Sequence, residues 1–218
     1  MLVKDCMTRH PVMISPTTKA AEAENVMTEN KVRHLPVVGD GKRLEGLVTR
    51  QSLAIKPDML GSLNVWEITR LLANMTVKQV MVKASEVITI APNKTIERAA
   101  RTMSEHKIGC LPVIEEGIVV GIITEVDLLN AFQQMLGLPA SGIRVTVRMP
   151  NQYGEFAKLA AALSDNHWGV MGIGSFPSPR TPGFYDVVLK IPNVDAAEVE
   201  AAFNKIPEQE VVDIRASV

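Results

Sequence analysis

Thr124 and Asp127 stand three residues apart where an apolar strand gives way to a predicted helix, in the run Gly121-Ile122-Ile123-Thr124-Glu125-Val126-Asp127. At that spacing a hydroxyl and a carboxylate share one helix face. A helix start offers backbone N–H groups and the positive end of its dipole, a ready place for phosphate. One turn on, a carboxylate can accept from both hydroxyls of a ribose. The same two residues also make an ordinary helix cap, and the two roles are compatible. An earlier run, Gly46-Leu47-Val48-Thr49-Arg50-Gln51-Ser52, has the threonine but carries Ser52 in place of the carboxylate. A site there is expected to be weaker, empty or tuned to something else.

Both runs belong to a longer echo. Val3-Lys4-Asp5-Cys6-Met7 answers to Val77-Lys78-Gln79-Val80-Met81, Pro16 to Pro92, Met27 to Met103 and Lys31 to Lys107. Leu35-Pro36-Val37 answers to Leu111-Pro112-Val113. A period of roughly 75 residues is too long for a solenoid and marks a duplicated small module. Two similar units tend to pack as a pseudo-symmetric pair, and pockets favour such interfaces.

The elements that must position these residues follow from the switch between the strand and helix periods. Residues 12–14 and 87–90 read as short strands. Residues 18–30 read as a helix, as does the echo with Ile96, Ala99, Ala100 and Met103. Residues 32–38 and 108–114 read as buried strands, and residues 44–49 and 119–124 as a third strand in each copy. A second helix starts at Thr49/Arg50 or Thr124/Glu125, where the hydroxyl can cap it. Each copy is therefore a β-α-β-β-α unit, spanning 3–54 and 77–138. Residues 55–76 connect them through Lys56-Pro57-Asp58 and Gly61-Ser62. Val65, Ile68, Leu71, Leu72 and Met75 recur at helical spacing, so part of this connector is a packed helix. Beyond the hinge at 137–142, residues 143–218 read β-α-β-β-α-β, the ferredoxin-like order. Its strands fall at 143–148, 170–176, 185–191 and 211–215, and its helices at 154–166 and 194–205.

The 218-residue chain has a formal net charge of −1 with interspersed signs, and 4% aromatic residues. That is neither the basic face of a nucleic-acid binder nor a base-stacking platform. No apolar run reaches the length of about 18 residues that marks a membrane span. The repeat begins at once, which leaves no room for a signal peptide. Cys6 and Cys110 sit at non-equivalent places and form neither a disulfide framework nor a zinc set. The expectation is a soluble cytoplasmic protein with no nucleic-acid or membrane partner.

On these motifs, residues 3–130 resemble a tandem pair of CBS domains, the Bateman module, and residues 143–218 resemble an ACT domain. The order of parts is similar to the acetoin-utilisation accessory protein family of bacteria. The second copy carries complete the Gly-apolar-apolar-Thr-x-x-Asp signature that closes the last strand of CBS domains. The fold class implied is mixed α+β / α/β, a pseudo-two-fold CBS pair with a ferredoxin-like ACT domain. The resemblance implies a regulatory sensor of an adenosine-containing ligand: AMP, ADP, ATP, NAD or S-adenosylmethionine. It also implies a homodimer that passes the signal to a regulated protein.

The resemblance assigns roles as well. Thr124 would hold phosphate or its equivalent and Asp127 the ribose, while Val87, Ile88, Ile108, Pro112 and Ile122 enclose the base. Arg33-His34 occupy the place of Gly109-Cys110, where basic residues of CBS modules reach ligand phosphates, sometimes across the seam. An arginine can clamp phosphate oxygens bidentately. The alternatives are a solvated strand-end arginine and a pocket-wall or packing histidine. Thr49, Ser52 and His34 would form the secondary site, and Cys110 would be small apolar packing on a pocket wall. In the ACT-like part, Asn151 and Gly154 mark the turn at 150–155 where such domains take small effectors, often amino acids; a plain turn within a dimerising unit is the alternative. His167-Trp168 reads as core and interface packing. The histidines at 10, 34, 106 and 167 lack metal-ligand spacing, and no catalytic motif stands out. The chain is expected to be no enzyme and to hold no metal. The rival expectation is a constitutive dimeric scaffold with vestigial pockets.

Overall fold

The computed structural model describes residues 1–54 and 65–217, which fall into two units, Met1–Leu128 and Leu129–Val218. The expected connector residues Lys56-Pro57-Asp58 and Gly61-Ser62 lie outside the described residues, as do the side chains of Val65, Ile68, Leu71 and Leu72. In chain order the first unit contains α1 (Val3–Cys6), β1 (Thr8–Arg9), α2 (Ala20–Glu29), β2 (His34–Val38), β3 (Leu44–Thr49) and α3 (Arg50–Leu53). It continues with α4 (Val65–Asn74), α5 (Val77–Val80), β4 (Val82–Lys83), α6 (Ile96–His106), β5 (Cys110–Glu115) and β6 (Ile118–Thr124). The helix α7 (Glu125–Met135) begins here. The connector thus contains a helix at the expected place, and Met75 just beyond it is buried.

The first unit departs from two independent β-α-β-β-α modules at the opening of each repeat. Residues 12–14 and 87–90 are not strands. Ile14 and Ile90 each make a single parallel bridge, to Val37 and Val113. The edge-strand role falls instead to β1 and β4, and each pairs with the other copy. Thr8 and Arg9 lie opposite Ile122 and Gly121, while Val82 and Lys83 lie opposite Leu47 and Gly46. The sheets are therefore β1-β6-β5 and β2-β3-β4.

The short helices before these strands make the same exchange. Val3 N–H donates to Lys94 O at 2.8 Å and Lys4 N–H to Pro92 O at 3.0 Å. Val77 N–H donates to Thr18 O at 2.8 Å and Lys78 N–H to Pro16 O at 3.0 Å. Val77 is fully buried in a core with Ile14, Ala23, Met27, Leu35, Val37 and Val48, all from the first copy. Each lobe is thus the body of one repeat closed by the opening segment of the other.

Two glycines permit the exchange. A Cβ on Gly46 would lie 2.5 Å from Val82 O and 2.6 Å from Met81 Sδ. A Cβ on Gly121 would lie 2.5 Å from Met7 Sδ and 3.0 Å from Thr8 O. Glycine within a strand marks such a close approach of another backbone.

The second unit continues with β7 (Gly142–Pro150), α8 (Glu155–Asp165), β8 (Gly172–Pro177), β9 (Phe184–Ile191), α9 (Ala196–Phe203) and β10 (Glu210–Ser217). Its antiparallel sheet has the order β10-β7-β9-β8, the expected β-α-β-β-α-β arrangement with the first and third strands central. One face is apolar: Val145, Val147, Val187, Leu189 and Ile191 cluster with Leu159, Val199 and Phe203 of the two helices. Alternation turns the intervening residues to the other face. There Arg148 donates bidentately to Asp186 at 2.8 and 3.0 Å, and Arg144 donates to Asp213 at 2.8 Å.

The close approach can be tested directly. Gly46→Val is expected to destabilise the chain by about 1–3 kcal/mol, the usual cost of overpacking. Gly169→Ala, where an added Cβ meets nothing within 4 Å, serves as the neutral control. Equal urea midpoints for the two variants would show that the β3–β4 contact is not tight.

Candidate functional site

Two clefts open where the lobes of the first unit meet. One, of about 440 Å³, is lined by Thr124, Asp127, Ile122, Val12, Val32 and His10, together with Lys31, Arg33 and His34. The other, of about 350 Å³, is lined by Thr49, Leu47, Val87, Ile88, Ile108 and Cys110, with Arg50, Lys107, Glu86 and Glu125. Arg33 and His34 line this one as well. Both volumes fall in the range of about 300–1,000 Å³ usual for small-molecule sites.

The signature residues form a reciprocal cap at the head of α7. Thr124 N–H and Oγ1 both donate to Asp127 Oδ2, at 2.8 and 2.7 Å, and Asp127 N–H donates back to Thr124 Oγ1 at 3.3 Å. Asp127 Oδ1 accepts no hydrogen bond among the described residues and remains available to the cleft. The threonine hydroxyl is spent on the carboxylate, so its task in this state is to aim Asp127. In the other copy Thr49 and Ser52 make the same ring: Thr49 N–H donates to Ser52 Oγ at 3.0 Å and Ser52 N–H to Thr49 Oγ1 at 3.1 Å. Ser52 Oγ also donates to Thr49 O at 2.9 Å, which consumes the hydroxyl's proton.

The predicted base-enclosing residues divide between the clefts. Ile122 accompanies Thr124 and Asp127, but Val87, Ile88 and Ile108 line the Thr49 cleft. Pro112 lines neither of the two. It is buried in β5 opposite Ile122, where its carbonyl accepts the Ile90 N–H at 3.1 Å. The apolar wall facing Asp127 is Val12 and Val32, the first-copy counterparts of Ile88 and Ile108. The exchange of opening segments pairs Thr8 and Arg9 with β6 and so brings Val12 to this cleft, while Val32 comes from the body of the first copy. No sequence motif singles out His10 or Lys31 as a site residue, yet both line the Thr124 cleft. The repeat alignment pairs Lys31 with Lys107, and each lysine lines one cleft.

His34, opposite Thr49 on the β2–β3 ladder, is half-buried. Burial lowers its pKa and the neighbouring Arg33 lowers it further, with Glu125 pulling the other way. Cys110, opposite Thr124 on the β5–β6 ladder, is buried beside Leu47, Ile122 and Val87. Desolvation, with some help from Glu125, pushes its thiol up to about 12, so it packs as a small apolar group. Cys6 and Cys110 are both free. Among the described residues no group of three or more His, Cys, Asp or Glu side chains is placed to hold a metal ion. Nor is any helix among them long and apolar enough to cross a membrane.

In the second unit Gly154 caps α8 at φ 89°, a conformation that favours glycine. Asn151 N–H donates to Gly183 O at 2.8 Å, and residues 151–154 are exposed. The following Glu155 is buried, its carboxylate accepting from Lys158 at 2.6 Å and from Gln209 at 3.1 Å. Trp168 packs into the core, edge-on to Phe203 with ring centroids 6.0 Å apart. His167 does not join it: it is exposed, at φ 56°.

Paired clefts between two copies of one α/β unit define a tandem module. The CBS-domain family model matches residues 3–56 and 77–134, just over half of the chain, and the chain belongs to that family. The protein YhcV of Bacillus subtilis is 30% identical over 126 residues, 58% of this chain and 81% of that protein. The homoserine O-acetyltransferase of Methanocorpusculum labreanum is 30% identical over 129 residues, 59% of this chain but 23% of the enzyme. The chain therefore spans under a quarter of that relative. Among solved structures, a Vibrio cholerae chain assigned as the acetoin utilization protein AcuB is 31% identical and superposes with a TM-score of 0.54. That match covers 63% of this chain and 94% of the other. CBSX2 of Arabidopsis thaliana, solved in complex with AMP, is 27% identical with a TM-score of 0.50, over 61% of this chain and 96% of the other.

The lowered pKa of His34 sets a sign for the pH dependence of stability. Its contribution is present above the unfolded value of about 6.5 and is lost as pH falls from there through the lower folded value. His34→Asn is expected to flatten the fall in urea-unfolding stability between about pH 7 and 5. The same slope in both proteins would mean that the imidazole is fully solvated.

Proposed function

We propose that the first unit is a non-catalytic sensor that binds an adenosine-containing ligand in the Thr124–Asp127 cleft and reports its presence to a partner protein. The observation that carries this reading is the free Asp127 Oδ1, held over an apolar wall by the cap at the head of α7. A carboxylate oxygen so placed suits the two hydroxyls of a ribose. Val12, Val32 and Ile122 give the base an apolar seat, and Arg33 with Lys31 supplies positive charge for phosphate. The AMP complex of CBSX2 supports the same ligand class. AMP is the first candidate, followed by ADP, ATP, NAD and S-adenosylmethionine. The match to the acetyltransferase is confined to a small share of that enzyme, which suits an attached regulatory module better than a catalytic one.

The second unit, in this reading, is an ACT-like domain whose exposed turn at Asn151 and Gly154 takes a small effector. The chain acts in the cytoplasm as a homodimer, in the manner of acetoin-utilisation accessory proteins. Val126, Leu129 and Phe132, three residues apart and exposed on α7, offer a second copy an apolar strip. The closed Thr49–Ser52 ring favours one alternative, a constitutive dimeric scaffold whose pockets no longer bind.

Calorimetric titration with each adenosine compound separates the two. Asp127→Ala removes a charged acceptor and is expected to weaken the bound compound by about 1–3 kcal/mol. It also removes the helix cap, so Asp127→Asn, which retains an acceptor for Thr124, is the companion variant. Loss of affinity in both, with the fold of the Asn variant intact, supports the sensor. No heat with any compound moves the assignment to the scaffold.

A further inference from the structure

Among the described residues, Arg33 and His34 are the two that line both clefts. Much of the rest is duplicated, although the Thr49 cleft also has Arg50, Glu86 and Glu125 and the Thr124 cleft has His10 and Asp127. Each cleft has its own threonine cap, its own apolar wall and its own lysine, Lys31 in one and Lys107 in the other. Strict repetition would provide a second arginine–histidine pair, but the second copy has Gly109 and Cys110 instead. Cys110 is 3% exposed and uncharged. Gly109 leaves the seam open to the first copy's side chains: a Cβ there would lie 3.6 Å from His34 Cε1 and 3.3 Å from Glu125 Oε2. Arg33 is exposed and makes no side-chain hydrogen bond or ion pair among the described residues. Its guanidinium is therefore uncommitted in this state.

From this asymmetry we infer that the two clefts compete for the one guanidinium of Arg33, with the His34 imidazole beside it, so that phosphate-bearing ligands fill them anticooperatively while uncharged nucleosides fill them independently. The inference rests on the adenosine-binding reading and deepens it. A planar guanidinium fork matches one phosphate bidentately and cannot give that geometry to two at once. A second phosphate brought to the seam meets a cation already neutralised and a like charge close by. The penalty attaches to the phosphate alone. The base and ribose contacts use Val12, Val32 and Asp127 in one cleft and Val87, Ile88 and Ile108 in the other.

The test compares stepwise affinities for AMP and for adenosine, measured by calorimetry on the full chain. Two adenosines per chain are expected. With AMP, the second affinity should fall below the first by about tenfold more than it does with adenosine, an ordinary size for a coupling between sites. Arg33→Gln should weaken the first AMP and bring the ratio of the two AMP affinities to the adenosine value. His34→Asn should move it part of the way. Equal ratios for AMP and adenosine would overturn the inference, as would coupling that survives Arg33→Gln. Adenosine stopping at one per chain would also overturn it, because unequal clefts would then explain the stoichiometry. Those outcomes leave the sensor reading standing. Absence of binding by either compound would remove both.

Discussion

The close approach of backbones at Gly46 and Gly121 is the constraint on which the first unit depends. At each, the opening segment of one repeat lies against the last strand of the other, at a separation that no side chain would tolerate. Once β1 and β4 have crossed, the helices before them must dock on the opposite lobe, and Val3 and Val77 are buried there. The clefts inherit this arrangement. Each combines the cap and last strand of one copy with wall residues of the other, so the seam is structural before it is functional.

The two copies have used this common frame differently. One cap ends in a carboxylate with a free oxygen, the other in a serine whose hydroxyl closes on its own helix start. One seam position carries arginine and histidine, and its counterpart carries glycine and a buried cysteine. Local stability asks little of these choices, since both caps are satisfied and both strands pair. The differences lie at the positions that face the clefts.

Much of this was legible in the residues. The repeat, the strand and helix periods, the threonine caps and the β-α-β-β-α-β order of the second unit all rest on local patterning that the chain obeys. The resemblance put Arg33 and His34 towards the seam, and both line the two clefts. The partner of each opening segment was not legible. Residues 12–14 and 87–90 look like strands because they are apolar and β-branched, yet their neighbours at 8–9 and 82–83 take the ladder positions. Nothing local distinguishes pairing within a copy from pairing between copies. The resemblance put Val87, Ile88 and Ile108 beside Asp127, whereas the cleft there is lined by their first-copy counterparts Val12 and Val32. The glycine of the signature held the missing clue, since a strand glycine signals another backbone close by.

The exchange also orders events in time. Thr8 and Arg9 leave the ribosome early, but their partners in β6 follow about a hundred residues later. At the usual pace of synthesis, that is a delay on the order of ten seconds. Throughout it β1 has no partner, while the edge of β3 stays bare only until Val82 and Lys83 arrive. A nascent chain of this kind is exposed to pairing with its neighbours on the same messenger. Rapid completion of the second repeat is then part of what keeps the protein from associating wrongly.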